Sequence, residues 1–242
     1  MNQTFIVLGF LIFIIYLLIY NDEPFYDFKN VPKNYESAEI IIGIPKIIHH
    51  ICPRDYKRWH TKWINSYESW LRLFPEPEYT HMHWYDDELH LFIESDFPWF
   101  LEIFNAYDRN IKRIDMVRPF ILYTYGGIYA DMDFEAISNF YDELPNNKVS
   151  IVESGYKWNE EITNALTASP IKHIFWFLVI DECYNHKDDS NVLLSTGPQL
   201  ISKIFKSHPQ FVYVLPFNLY NPPPWDLDLN IIKAKHHNTV VW

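Results

Sequence analysis

Asp115-Met116-Val117-Arg118-Pro119-Phe120-Ile121-Leu122-Tyr123-Thr124-Tyr125-Gly126-Gly127-Ile128-Tyr129-Ala130-Asp131-Met132-Asp133 is the stretch that decides the fold. Helical character leads through Phe104, Ile114 and Phe120 to Tyr125. Gly126-Gly127 then breaks the helix, and Ile128-Tyr129-Ala130 forms a short apolar strand that ends on Asp131-Met132-Asp133. On an extended backbone, residues two apart project to the same side, so the sequence places both carboxylates together. Two like charges held that close are unfavourable unless a cation sits between them. Oxygen ligands suit a hard divalent ion such as Mn²⁺ or Mg²⁺, which keeps positions open for phosphate oxygens. The pair also falls at the carboxyl end of a strand, where open α/β sheets collect their ligands. Upstream, the three-residue spacing of Asp115 and Arg118 puts both on one helix face.

Working outward, the β-branched run from Ile40 to His50 reads as a buried strand. Trp59, Trp63, Tyr67, Trp70 and Leu71 recur at helical spacing, which predicts an aromatic stripe facing the sheet. A second strand is expected over Tyr79 to Tyr85, followed by an acidic helix start at Asp86-Asp87-Glu88. Strands and helices alternate without an internal repeat, so the fold class is α/β with a mainly parallel central sheet flanked by helices. Phe5 to Tyr20 is apolar, aromatic or Gly throughout, about 16 residues that rise about 24 Å as a helix. We read residues 1–20 as a signal-anchor transmembrane segment, 21–39 as a stem and 40–242 as one catalytic domain.

With 20 Lys+Arg against 31 Asp+Glu the net charge is −11, which argues against nucleic acid as a partner. Six glycines supply no G-x-G-x-x-G, Walker A or G-x-S-x-G motif. Cys52 and Cys183 form no C-x-x-C pair. They read as buried free thiols, with one long-range disulfide as the alternative. Most of the 11 histidines, His49 and His50 among them, read as structural or exposed.

The decisive stretch resembles the D-x-D glycosyltransferases that include initiation-specific α-1,6-mannosyltransferases and inositol-phosphorylceramide mannosyltransferases. The family pattern is an Asp and an Arg three apart, a helix, then Tyr-Gly-Gly-(Ile/Val)-Tyr-x-Asp-x-Asp. Asp115, Arg118, Tyr125 to Tyr129, Asp131 and Asp133 match it. The likeness continues in Ile44-Pro45-Lys46-Ile47-Ile48-His49, in Asn164-Ala165 with Ala168-Ser169-Pro170 and His173, and in Ser195-Thr196-Gly197-Pro198. His236, six before Trp242, looks like the family's closing His. Asp96-Phe97-Pro98-Trp99-Phe100-Leu101 looks particularly like the sphingolipid-mannosylating branch.

The resemblance implies a GT-A-type domain and a metal-dependent, retaining transfer of a hexose. Mannose from GDP-mannose would go to a membrane-associated acceptor such as inositol-phosphorylceramide, with the domain on the lumenal side of the secretory pathway. Asp131 and Asp133 would hold Mn²⁺ (or Mg²⁺) and the nucleotide diphosphate, with His236 on the metal side. Asp115 and Arg118 would contact the transferred sugar, Tyr129 would line the nucleotide pocket, and Asn164 would stand on the sugar side. Gly126 and Gly127 would permit close approach of the donor. Two positions depart from the family. Pro119 follows Arg118 and predicts a helix start or kink there, and Val241 stands where relatives often carry Ser before the closing Trp.

Three alternatives remain. One is a UDP-sugar-using hexosyltransferase acting on protein-linked or other glycans. Another is a non-catalytic sugar-binding membrane protein. The third is a phosphotransfer hydrolase of the haloacid-dehalogenase phosphatase type, disfavoured because Glu135 occupies a position that is usually Thr or Val there.

Overall fold

The computed structural model describes residues 43–155, 162–225 and 228–239. Six strands form the central sheet: β1 (Ile47–Cys52), β2 (Thr80–Tyr85), β3 (Gly127–Ala130), β5 (Val149–Glu153), β6 (Ile162–Ser169) and β7 (Val212–Leu215). Their order is β2-β1-β3-β6-β5-β7. β1 pairs in parallel with β2 and β3, and β5 with β7, while β6 is antiparallel to both its neighbours. Five strands thus run one way and one against, the mainly parallel sheet expected from the alternation. β4 (Phe134–Ala136) and β8 (Ala234–His236) make a separate antiparallel ribbon.

Strand pleating divides the core. On β3, Ile128 and Ala130 enter one cluster with Ile48, Trp70, Phe74 and Phe134, whereas Tyr129 enters the other with Ile51, Phe120, Trp176 and Ile201. Helix α1 (Thr61–Leu73) covers the first face and buries Trp63, Ser66, Ser69 and Trp70. It is also tied to the β4 ribbon: Trp70 Nε1–H donates to the Phe134 carbonyl at 2.7 Å, and the Ala136 amide donates to Ser69 Oγ at 2.9 Å. The second face takes α2 (Leu89–Asp96), α3 (Leu101–Ala106), α4 (Asn110–Tyr125), α5 (Ile174–Asn185) and α7 (Pro198–Ser207). The short helices α6 (Val192–Ser195) and α8 (Phe217–Tyr220) complete the fold.

Several expectations need correction. The opening strand starts at Ile47 and runs on to Cys52, because Gly43 turns the chain at φ +111 and Pro45 offers no amide to a ladder. Ile40–Ile42 lie outside the described residues. Trp59 precedes α1 and donates to the Pro53 carbonyl, and Leu71 points outward, so only Trp63 and Trp70 form a buried stripe. α4 neither starts nor ends near Pro119. It begins at Asn110 and carries Pro119 in its interior, which leaves the Asp115 carbonyl without its i+4 donor. Packing explains the tolerance, since every residue from Ile114 to Leu122 is buried.

Cys52 and Cys183 are both buried and free, and burial pushes the Cys52 thiol up to about 12. The anchor segment Phe5–Tyr20 lies outside the described residues, as does Val241. Among the described residues no helix is long and apolar enough to cross a membrane.

Candidate active site

β3 delivers the acidic pair, though not by the geometry the sequence suggested. Asp131-Met132-Asp133 is a turn rather than a strand continuation, closed by the Phe134 amide donating to the Asp131 carbonyl at 2.9 Å. The carboxylates converge nonetheless. Asp131, Asp133 and His236 each bring one ligand atom within 4.8 Å of the others.

Each carboxylate has its own set of supports. Asp131 Oδ1 accepts from Arg118 Nη2 at 2.9 Å and from the Tyr129 hydroxyl at 2.6 Å, while its backbone N–H donates to Ala165. Arg118 Nη1 reaches back 2.9 Å to Asp115 Oδ1, which also accepts from Asn164 Nδ2 at 3.1 Å. The guanidinium lies 5.0 Å from the Tyr129 ring centroid. Asp133 Oδ2 accepts from the Thr239 amide at 2.7 Å and its hydroxyl at 2.9 Å, and Oδ1 faces His236 Nε2 at 3.2 Å. β8 carries His236 to that position by pairing it with Phe134, whose ring it stacks on at 4.9 Å.

The electrostatics follow from this wiring. Burial pushes Asp115 up to about 6 against the pull of Arg118, with Asp131 adding to the rise. Asp131 is raised for the same first reason. Asp133 is held below the usual range, because its bonds from His236 and Thr239 outweigh its burial. Burial works against the Arg118 charge, yet Asp131, Tyr129 and Asp115 together raise its pKa. Three carboxylates therefore stand here with one guanidinium, which pairs with two of them, Asp115 and Asp131, and a divalent cation would offset the remaining negative charge. Two carboxylates and an imidazole can hold a divalent cation, and Asp131 Oδ2 has no protein partner among the described residues.

The fold thus brings together Asp115, Arg118, Tyr129, Asp131, Asp133, Asn164 and His236. Gly126 and Gly127 lie apart, at the other end of β3, four residues or about 13 Å from Asp131. Their φ values are +61 and +88, and the close approach they allow is to the protein itself. A Cβ on Gly127 would stand 2.5 Å from the Ile47 carbonyl oxygen, and one on Gly126 would stand 2.8 Å from that of Ser169. Gly127 thereby lets β3 close on β1, and Gly126 lets the turn before β3 close on the end of β6.

Sequence reasoning missed Thr239, which holds Asp133 twice and accepts from Trp63 Nε1 at 2.8 Å. Its one signal was position, three residues after His236. Behind Trp63 lies a cavity of about 560 Å³, also lined by Pro53, Arg58, Asp86, Arg109, Asn110 and Ile111. It opens where the ends of β1 and β2 and the first turn of α4 meet, and its lining residue Trp63 is the one bonded to Thr239.

Residues 60–151 match the family described as glycosyltransferase sugar-binding region containing DXD motif. Over this stretch the chain is similar to the D-x-D glycosyltransferases, and its architecture is the GT-A-like glycosyltransferase fold. Among curated proteins it is 44% identical over 96 residues to inositol phosphoceramide mannosyltransferase 3 of Schizosaccharomyces pombe, covering 38% of this chain and 24% of that one. It is 30% identical over 226 residues to inositol phosphoceramide mannosyltransferase 2 of the same yeast, covering 89% and 59%. The chain therefore spans between about a quarter and three fifths of these relatives' length. Among solved structures, PaToxG glycosyltransferase superposes at TM-score 0.53 with 18% identity, over 69% of this chain and 71% of that one, a likeness of fold.

Proposed function

We propose that this chain transfers a hexose from a nucleotide sugar in a metal-dependent reaction with retention. Mannose from GDP-mannose is the favoured donor and an inositol-phosphorylceramide-like lipid the favoured acceptor. The observation that carries the reading is the buried network in which Arg118 bridges Asp115 and Asp131 beside the Asp131, Asp133 and His236 cluster. The names of the two yeast relatives supply the sugar and the acceptor class. An anchor at Phe5–Tyr20 would hold the domain beside a membrane, on the lumenal side of the secretory pathway, where such a lipid lies.

In this reading Asp131, Asp133 and His236 would hold Mn²⁺ or Mg²⁺. When bound, the ion would neutralise the charge that grows on the diphosphate as the glycosidic bond breaks. The chain's own residues do the rest. Arg118 fixes both neighbouring carboxylates by two separate N–H donations, so Asp115 presents Oδ2 to sugar hydroxyls without moving. Asn164 keeps Asp115 in register, and Tyr129 keeps Asp131 turned toward the cluster. Thr239 locks Asp133 and, through Trp63, joins it to the 560 Å³ cavity, which takes the nucleoside half of the donor. Among the described residues no further carboxylate is placed as a nucleophile, so a donor phosphate oxygen would serve as the base for the acceptor hydroxyl.

The test is thermal unfolding of the protein with GDP-mannose, UDP-glucose, UDP-galactose and UDP-N-acetylglucosamine, each with and without Mn²⁺, followed by a transfer assay with the donor that binds. A bound ligand raises apparent stability by mass action. We expect a Mn²⁺-dependent rise with GDP-mannose and transfer that Asp133→Asn abolishes while its unfolding stays cooperative. Full activity in Asp133→Asn would sink the metal role. Binding without transfer or hydrolysis would leave a sugar-binding protein.

A further inference from the structure

The cavity behind Trp63 holds a carboxylate that the network around Arg118 does not use. Asp86 follows β2, and its backbone N–H donates to the Cys52 carbonyl at 3.1 Å, which pins the residue beside the carboxyl end of β1. Its side chain lines the cavity, is half-buried, and has no hydrogen bond or ion pair among the described residues. Two guanidiniums, Arg58 and Arg109, line the same cavity. Arg58 makes no ion pair among the described residues, and the sole one given to Arg109 is a long contact of 3.9 Å to its neighbour Asp108. In a chain of net charge −11, two such cations in one cavity suit an anionic ligand, and phosphate is the anion that guanidinium forks fit.

A carboxylate is then out of place unless the ligand also brings donors. A charged Asp accepts and never donates, so it repels phosphate and any base edge that presents a carbonyl opposite it. Guanine is the common base whose pairing edge sets two donors side by side, N1–H and the exocyclic N2 amino group. One carboxylate accepts both, an oxygen to each. Uracil places its single N3–H between two carbonyls, and cytosine and adenine each set one amino group beside a bare ring nitrogen.

Resting on the nucleotide-sugar reading above, we infer that Asp86 reads the base of the donor and selects guanine. Arg58 and Arg109 offset the charge of the arriving nucleotide, and Asn110 lines the same cavity. Asp86 is a specificity residue: it touches the nucleotide and takes no part in bond cleavage.

Calorimetric titration of GDP, IDP and UDP in the presence of Mn²⁺, on the parent and on Asp86→Ala, tests this. IDP keeps N1–H and lacks the N2 amino group, so it removes one of the two donors. In the parent we expect affinity to fall about tenfold from GDP to IDP, the worth of one hydrogen bond to a charged group, and further to UDP. In Asp86→Ala, GDP and IDP bind equally. Asp87→Asn, an exposed neighbour, keeps the parent's order, and ligand-free unfolding checks that Asp86→Ala is folded. Equal GDP and IDP affinity in the parent overturns base reading, as does an alanine variant that weakens all three nucleotides by one common factor; either leaves the nucleotide-sugar reading standing. A parent that binds none of the three overturns both.

Discussion

Two adjacent histidines in β1 should make this fold acid-labile by an amount that can be worked out. His49 and His50 are buried on opposite faces of the strand. His49 donates from Nε2 to the Gly126 carbonyl at 2.8 Å, and its Nδ1 accepts from Trp84 Nε1 at 3.2 Å. Both ring nitrogens are therefore committed to the neutral form, because a proton on Nδ1 would set donor against donor. His50 Nδ1 donates to the Ala130 carbonyl at 2.8 Å, and its buried Nε2 has no partner among the described residues, so a second proton there would have no acceptor among them. Burial accordingly lowers His49 to about 4 and His50 to about 3. The unfolded chain titrates near 6.5, so below that pH it binds protons that the native state refuses. The stability this contributes is complete above about pH 6.5 and is lost as pH falls toward the folded values. Between pH 7 and pH 5 each histidine removes about 1.8 kcal/mol, or about 3.6 kcal/mol for the pair, a large share of a typical 5–15 kcal/mol. His49→Gln and His50→Asn keep an amide N–H near the donating nitrogen and cannot titrate. Urea denaturation of parent and variants at the two pH values should show each variant losing about 1.8 kcal/mol less than the parent. Equal losses in parent and variants would show that these rings are not held neutral, and the reasoning would fail.

Other outcomes follow from the same wiring. Arg118→Met leaves Asp115 and Asp131 buried without their cation and should cost about 3–5 kcal/mol in denaturant unfolding; an unchanged midpoint would mean the network carries no stability. Thr239→Val preserves shape but removes the hydroxyl between Trp63 and Asp133. Mn²⁺ affinity measured by titration should drop about tenfold, with at most about 2 kcal/mol lost in unfolding. Gly127→Ala forces a side chain onto φ +88 and against the Ile47 carbonyl, so it should destabilise by about 1–3 kcal/mol, while nucleotide affinity of the folded fraction stays at the parent value.

Legibility differed between parts of the chain for physical reasons. Local patterns carried far: the apolar run into Gly126-Gly127 announced the α4–β3 unit, and the spacing of Asp115 and Arg118 put both on the helix face that meets Asp131. The partners that complete the site were much harder to read. Nothing near Asp133 in sequence says that Thr239 will hold it, since that bond depends on β8 returning to pair with β4. The D-x-D turn was misjudged as extended because the closing Phe134 amide bond is a tertiary choice, fixed when Trp70 takes the Phe134 carbonyl. Pro119 misled in the same way, for burial on every side outweighed its local preference. The resemblance set Gly126 and Gly127 beside the donor, and it held no sign that their missing Cβ atoms also leave room for Pro45, Ile47 and Ser169 of the chain itself.

The β4–β8 ribbon fixes when the site comes into being. Asp133 and His236 stand 103 positions apart, and all six strands of the central sheet are complete by Leu215. A growing chain can thus close its sheet and bury the cluster around Phe120 and Trp176 while the third corner of the cation cluster and both Thr239 bonds are still missing. The cation cluster is thus complete only when the three residues of β8 pair with β4. Hydrogen exchange at Ala234, Lys235 and His236, slowed by ligand while the sheet amides stay unchanged, would report that pairing alone.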